Sequence, residues 1–523
     1  MRPQLSSRAG LAIGALSIAL AAGCGSTVEP STEQTIGPIN GLGVPSVTIG
    51  TAPATTTVPG TTTTTAPGGA TVPGLTGNGK SGGTVTARTS TAATGTGPGS
   101  TSPGATTTPT GTQPTHAPVE TGPITVGFLT TATSNASSSG ASLGNTVTET
   151  SVDQALVNAI DKQGGLDGRQ LKVVFAHTDT GSSNWDNDFQ AACETFTQDH
   201  HVDVVLGYEF NYEPDFESCL AKQGIPHLTD GFNVPGTAEL AQYPLFWSLD
   251  VPTIGQRSIA KFQGAINTGF LTSKDKLGIL LDDCPGTQTA WKAQVLPFLL
   301  SHHIDVASTF STACSTGNNA AVTSAIGSLT NGLLKFRSEG VDRISFVAVS
   351  EAPVLYLAST AANAQGYRPG WIVSSLGQLA IIGGESPMPE MQNTHGYGWL
   401  PSQDVPPAYA PKENAAQHRC LSLLHSQKVD PRSAADYGYA YNACEAVFVY
   451  EAALKADGGN SDGQAISNAI SNLGNFQSTL NLYGKSVFSS ARRNDAPEYY
   501  KPINWDGGCH CFRYGSQTYK MPS

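Results

Sequence analysis

Charge is scarce in this chain, and positive charge scarcest. Lys and Arg number 28 against 40 Asp and Glu, a formal net charge of −12, and only 13% of residues are charged. That balance argues against a nucleic-acid partner, which needs a basic face. Long apolar runs are also missing: outside 9–22, no stretch of the 523 residues is long enough to span a bilayer. Large apolar residues are nearly absent from 25–122, which consists mainly of Thr, Gly, Pro, Ala and Ser. Such a stretch cannot bury enough surface to offset its ordering entropy, so it reads as a disordered tether. Within it, GLTGNGKS at 74–81 fits the phosphate-loop pattern. That chemistry needs a strand before the loop and a helix after it, and neither is present, so nucleotide binding is not expected.

The amino terminus carries Arg2 and Arg8, then the short apolar run, then Gly23 and Cys24. This is the layout of a secretory signal rather than a permanent span. LAAGC at 20–24 resembles a bacterial lipobox, which implies a lipid on Cys24 and processing at that residue. Ala21 stands where Leu is commoner. Export leads to an oxidising compartment, and of nine cysteines eight remain beyond Cys24, an even number that suggests disulfides. Connectivity does not follow from sequence; pairing chain neighbours is the economical expectation: Cys193 with Cys219, Cys284 with Cys314, and Cys420 with Cys444. Cys509-His510-Cys511 lacks two further identifiable metal ligands, which favours one bridge within the pair or two separate bridges over a metal site.

About 400 residues remain after the tether, enough for two lobes with real cores. Strand-like runs at 124–129, 171–176, 202–207 and 225–230 alternate with helical patterns at 151–163, 186–199 and 213–223. A second series has strands at 276–282, 304–310, 343–349 and 370–375, with helices at 287–302, 319–336 and 353–365. Alternation of this kind predicts an α/β fold with two Rossmann-like lobes of parallel sheet, each sheet covered on both faces. In the stretch LVNAIDKQGGLDGRQLKVV, Gly164 and Gly165 close the first helix and a tight turn leads straight into the second strand.

VDQALVNAIDKQGGLDGRQLKVVFAHTDTGSS, followed by VDVVLGYEFNYEPDFESCLAKQGIPHLTDG, resembles the first lobe of type I periplasmic-binding-protein receptors, nearest the leucine/isoleucine/valine-binding branch. HGYGWLPSQDV, ADYGYAYNACEAVFVYEAALKADGG and PINWDGG are similar to the family's later segments, in the family's order. The resemblance covers nearly all of 124–519. It implies crossings between lobes near 248–253, 399–405 and 501–505, with lobe 1 at 123–249 and 402–500 and lobe 2 at 250–401 and 501–523. It implies a small molecule gripped in the cleft, an ABC permease as partner, attachment to the outer face of a bacterial membrane, a monomer, and no cofactor.

Carried over loop by loop, the family's contacts fall on Tyr208, Glu209 and Asn211, on Thr229, Asp230 and Phe232, and in the second lobe on Asp283, Ser350, Glu351 and Ser375. The family's acidic clamp for an ammonium group would fall near Ser375, where no carboxylate stands. Aromatic walls with a few polar groups instead suit a small organic molecule held by stacking and hydrogen bonds. Each aromatic serves equally well as packing, and Asp283 as a helix cap. Two other readings have a basis. The same fold serves ligand sensors and cell-envelope interaction proteins. GASLG at 140–144 matches the hydrolase pattern around Ser142, but a polar loop separates it from the preceding strand, contrary to what a nucleophile elbow requires.

Overall fold

A computed structural model of the chain describes residues 121–131, 145–179, 185–207, 213–229, 236–314, 319–348, 351–490 and 496–522. Cys24, the 74–81 motif, Ser142, Tyr208, Glu209, Asn211, Asp230, Phe232 and Ser350 lie outside the described residues.

The segment 148–178 folds as its local chemistry dictates. Thr148 and Ser151 form a reciprocal capping box at the start of the helix Glu149–Lys162, whose Val152, Leu156, Ala159 and Ile160 are buried. Gly164 and Gly165 take φ of +108° and +81°. The Gly165 N–H donates to the Ile160 carbonyl (3.0 Å), closing the helix. A Cβ at Gly165 would stand 1.9 Å from the Arg169 carbonyl oxygen, so the tight return admits only glycine. Asp167 and Gly168, both at positive φ, turn the chain while Leu166 and Arg169 exchange backbone hydrogen bonds of 2.9 Å.

Five strands, β1 (Ile124–Thr131), β2 (Leu171–Thr178), β3 (Val204–Gly207), β4 (His227–Thr229) and β5 (Phe246–Ser248), form a parallel sheet in the order β2-β1-β3-β4-β5. A second set, β6 (Leu277–Asp282), β7 (Val306–Thr312), β8 (Arg343–Val347), β9 (Gly370–Ser374) and β10 (Thr394–Gly398), repeats that order as β7-β6-β8-β9-β10. Strands such as β6 and β9 are buried at every residue, as parallel strands covered on both faces must be. A small hairpin, β11 (Gly474–Gln477) with β12 (Lys485–Phe488), precedes β13 (Tyr499–Asp506), β14 (Cys511–Tyr514) and β15 (Tyr519–Lys520). One hydrophobic core runs through both sheets, from Val126, Phe128 and Leu156 to Leu277, Ile279 and Ile372, with the helix Ala434–Ala456 contributing Ala446, Val449 and Tyr450.

The structure departs from the sequence expectations in two places. The helix expected at 287–302 is interrupted by a π segment, Trp291–Val295, closed by the Leu296 N–H on the Trp291 carbonyl; Pro297, just beyond it, has no N–H to donate. The helix expected at 186–199 likewise ends in a π turn, Thr195–Asp199. β13 pairs antiparallel with β10 from Lys501 to Asn504. Pro502 sits opposite Tyr397 within that ladder.

Four disulfides join Cys193 to Cys219, Cys284 to Cys314, Cys420 to Cys444 and Cys509 to Cys511. Among the described residues no helix is long and apolar enough to cross a membrane.

Candidate ligand-binding opening between the sheets

In open parallel sheets, ligands sit beyond the carboxyl ends of the strands, near the point where strand order reverses. Here that point lies between β1 and β3 in one sheet and between β6 and β8 in the other. The chain passes between the sheets at two crossings. The first leaves the end of β5 at Ser248, and the second leaves the end of β10 at Gly398. The Trp399 indole N–H donates to the Asp250 carbonyl (2.8 Å), so the crossings touch where they leave their sheets. The Trp399 carbonyl in turn accepts from the Leu482 N–H (2.9 Å). Arg257, fully buried, bridges the Pro252 carbonyl (3.1 Å) and the Ala348 carbonyl just past β8 (2.9 Å).

On the first sheet, Thr229 closes β4 between Gly207 and Ser248 and is buried. At Gly207, with φ +122°, a Cβ would come within 2.7 Å of the Leu129 carbonyl, so the strand ends crowd closely here. Beside them, Glu149 accepts from the Thr131 N–H (2.6 Å), and the Thr130 hydroxyl lies 2.6 Å from His177 Nδ1. Asp436 fixes the loop entering that corner: it accepts from Thr146 N–H (2.7 Å), Thr146 hydroxyl (2.8 Å) and Val147 N–H (3.1 Å). Burial pushes its carboxyl up, and hydrogen bonds from Ser433, Thr146 and Arg432 bring it below the ordinary value. Sequence reasoning missed Glu149, His177 and Asp436. Only Asp436 had a local signal, the Ser433-to-Asp436 capping box.

On the second sheet, Asp283 is exposed after β6 and accepts from the Cys314 N–H, beside the Cys284–Cys314 bridge. Glu351 is buried. One of its oxygens pairs with Lys261 Nζ (2.6 Å), and the other accepts from the Ser374 N–H (2.8 Å) and hydroxyl (2.9 Å). Lys261 also donates to the Phe346 carbonyl. Burial lowers the Lys261 ammonium from its ordinary value, while Glu351 opposes that shift. The Ser375 hydroxyl accepts from the Trp399 N–H (2.7 Å) and Leu400 N–H (3.1 Å) and donates to Asp404 (3.1 Å). Asp404 takes two more donors, the Leu400 N–H (3.1 Å) and the Tyr514 hydroxyl (2.6 Å). Burial dominates and pushes its carboxyl up to about 7, against those hydrogen bonds. Gly398 makes the close fit possible, since a Cβ there would stand 2.2 Å from Asp404 Oδ2.

Ser374, the neighbour of Ser375 in the chain, bonds to Glu351, while the candidates Thr229 and Asp283 stand at strand ends of different sheets. Glu351 and Ser375 have their polar atoms engaged inside the protein. Among the described residues no group of three His, Cys, Asp or Glu side chains is placed to hold a metal ion.

No family model matches the sequence, and no curated protein matches it. Solved structures do match in fold. A solute-binding protein of an ABC transporter from R. palustris, in complex with 4-hydroxybenzoate, superposes with a TM-score of 0.55 at 12% identity, over 76% of this chain and 98% of that one. An ABC transporter substrate-binding protein from Aeropyrum pernix gives 0.58 at 11% identity, over 77% and 97%. One from Desulfitobacterium hafniense, in complex with Leu, gives 0.51 at 13%, over 75% and 99%. The chain has the type I periplasmic-binding fold.

Proposed function

We propose that the chain is an extracytoplasmic solute-binding protein, held to a bacterial membrane by a lipid on Cys24, that captures a small organic molecule between its lobes and presents it to an ABC permease. One observation carries this reading. The parallel strand order β2-β1-β3-β4-β5 of the first sheet is repeated as β7-β6-β8-β9-β10 in the second, and the crossings that leave β5 and β10 at their carboxyl ends are tied by Trp399 on Asp250. The lobes divide near 249/250 and 401/402, and the 98-residue tether 25–122 gives the binding unit reach from the membrane. Tyr208, Glu209, Asn211, Asp230 and Phe232 supply aromatic and polar contacts from lobe 1, with Thr229 at their base. Asp283 and Ser350 supply those of lobe 2, with Glu351 and Ser375 as their internal supports.

The chemistry favours an aromatic or other small organic molecule over an α-amino acid. The family's acidic clamp for an ammonium group would fall near Ser375, and no carboxylate is free there: Glu351 is paired with Lys261, and Asp404 accepts from three donors. A thermal-shift screen of the full chain, with 4-hydroxybenzoate and leucine as first probes among small organic acids and amino acids, tests the reading. A ligand that binds only the native state raises its stability. Tyr208→Ala should weaken the best ligand by about 1–3 kcal/mol, the scale of one buried side chain. A ligand whose affinity is untouched by Tyr208→Ala and by Phe232→Ala would overturn the site.

A further inference from the structure

Three of the four disulfides fasten parts that are well separated in the chain: their cysteines stand 24 to 30 residues apart. The fourth joins Cys509 to Cys511 with His510 alone between them, in the turn from β13 to β14. We propose that the Cys509–Cys511 bridge is a thiol–disulfide exchange site, which takes two electrons from a dithiol while the other three bridges stay closed.

The hairpin does not need this bridge. β13 and β14 pair from Ile503 with Tyr514 down to Asp506 with Cys511. The Asp506 carboxylate shapes the turn from within: one oxygen accepts from the Gly508 N–H (2.8 Å) and the other pairs with Arg513 (2.8 Å). On the inner face Phe512 is buried and meets the Trp505 ring edge to face at 5.2 Å. A bridge over a single residue closes almost no loop, so it adds little to what these contacts supply. A fold stabilises a bridge by as much as the bridge stabilises the fold, because both are one coupling free energy. Closing loops of the length spanned by the other three protects those bridges from reduction by roughly a hundredfold. The Cys509–Cys511 bridge goes without that protection.

Access and chemistry agree with this. Cys509 and Cys511 are half-buried and His510 is exposed, whereas Cys420 and Cys444 are fully buried. Exposed bridges that hold little structure are the exchangeable ones. Cys509 Sγ lies 3.7 Å from the Asp506 carbonyl oxygen, an acceptor ready for a thiol once the bridge opens. That contact sets the order of events. A thiolate of the incoming dithiol attacks Cys511 Sγ; the new S–S bond forms as the old one breaks. The electron pair leaves on Cys509 Sγ, which takes up a proton and donates a hydrogen bond to the Asp506 carbonyl. The second thiolate of the dithiol then attacks its own sulfur in the mixed disulfide and releases Cys511, which takes up the second proton. The dithiol ends as a disulfide and the pair as two thiols.

The test treats the full chain, under native conditions, with graded dithiothreitol, followed by acid quenching, alkylation and peptide mass mapping. Cys509 and Cys511 should be labelled at a concentration at least about tenfold below that which opens any of the other three bridges, and oxidised glutathione should close the pair again. The chain should also speed the reduction of insulin by dithiothreitol at least about twofold, a gain that Cys509→Ser with Cys511→Ser should abolish. Opening of all four bridges together, or of another bridge first, overturns the proposal. So does insulin reduction that the native chain leaves unchanged, or that the double variant speeds equally. The labelling needs only the native chain, so it decides the matter even where the double variant does not fold.

Discussion

Asp404→Asn is the perturbation that reads the joint between the crossings most sharply. The carboxyl is fully buried and is pushed from 3.8 up to about 7, burial outweighing the donors Tyr514, Ser375 and Leu400. The folded state therefore holds this proton more tightly than the unfolded chain does. The sign follows: the stability this group contributes is fully present below about pH 4 and is lost as pH rises through about 7. A shift of about three units at 1.36 kcal/mol per unit gives an upper value of about 4 kcal/mol between those limits. Relaxation of the site brings the expectation to on the order of 2–4 kcal/mol. Asparagine reproduces the neutral acid's shape and can still accept from Ser375, Leu400 and Tyr514. Its amide nitrogen falls where Asp404 Oδ1 has no partner, a cost that does not change with pH. Urea unfolding of both proteins at steps from pH 5 to pH 8 is the assay. The native chain should lose stability across that range faster than the variant. Glu445, also buried and pushed up to about 7, adds the same slope to both and cancels in the comparison. Parallel curves, differing by less than about 0.5 kcal/mol in pH dependence, would refute the reasoning.

Lys261→Met should cost about 3–5 kcal/mol by stranding Glu351, and Lys261→Met with Glu351→Leu should recover much of it, as measured by the same unfolding assay. Cys420→Ser with Cys444→Ser removes a bridge across 24 residues and should cost about 3 kcal/mol, against a much smaller loss for the pair two residues apart at Cys509 and Cys511. Alkylation without reduction, read by intact mass, should find no free thiol among these eight cysteines. Cys24→Ser should release the protein from the membrane fraction or leave its precursor unprocessed; normal processing with unchanged retention would remove the anchor from the account.

The parts legible in the sequence were those fixed by neighbours in the chain. The Gly164-Gly165 stop, the Asp167-Gly168 turn and the strand that follows depend on backbone angles and caps within a few residues. The disulfides join helices or strand ends adjacent in both sequence and space, so pairing in chain order meets the same geometry. What stayed hidden depends on partners far away. Glu351 reads as a ligand contact on a loop, and only Lys261, ninety residues earlier, makes it an internal support. Asp404 looks like an ordinary surface acid in PSQDV until Tyr514, 110 residues later, closes over it.

The central claim is that a ligand draws the two lobes together. Strands β5 and β10 adjoin the crossings, so β2 and β7 lie at the far edges, where closure moves the lobes most. Lys172 on β2 and Asp305 just before β7 are both exposed, and each can be replaced by a labelled cysteine for resonance energy transfer. Saturating ligand from the thermal-shift screen should shorten the distance between the labels in the native chain and fail to do so at the same concentration in Tyr208→Ala. A ligand that binds tightly while the distance stays constant would contradict the account, because contacts to both rims exist only in the closed state.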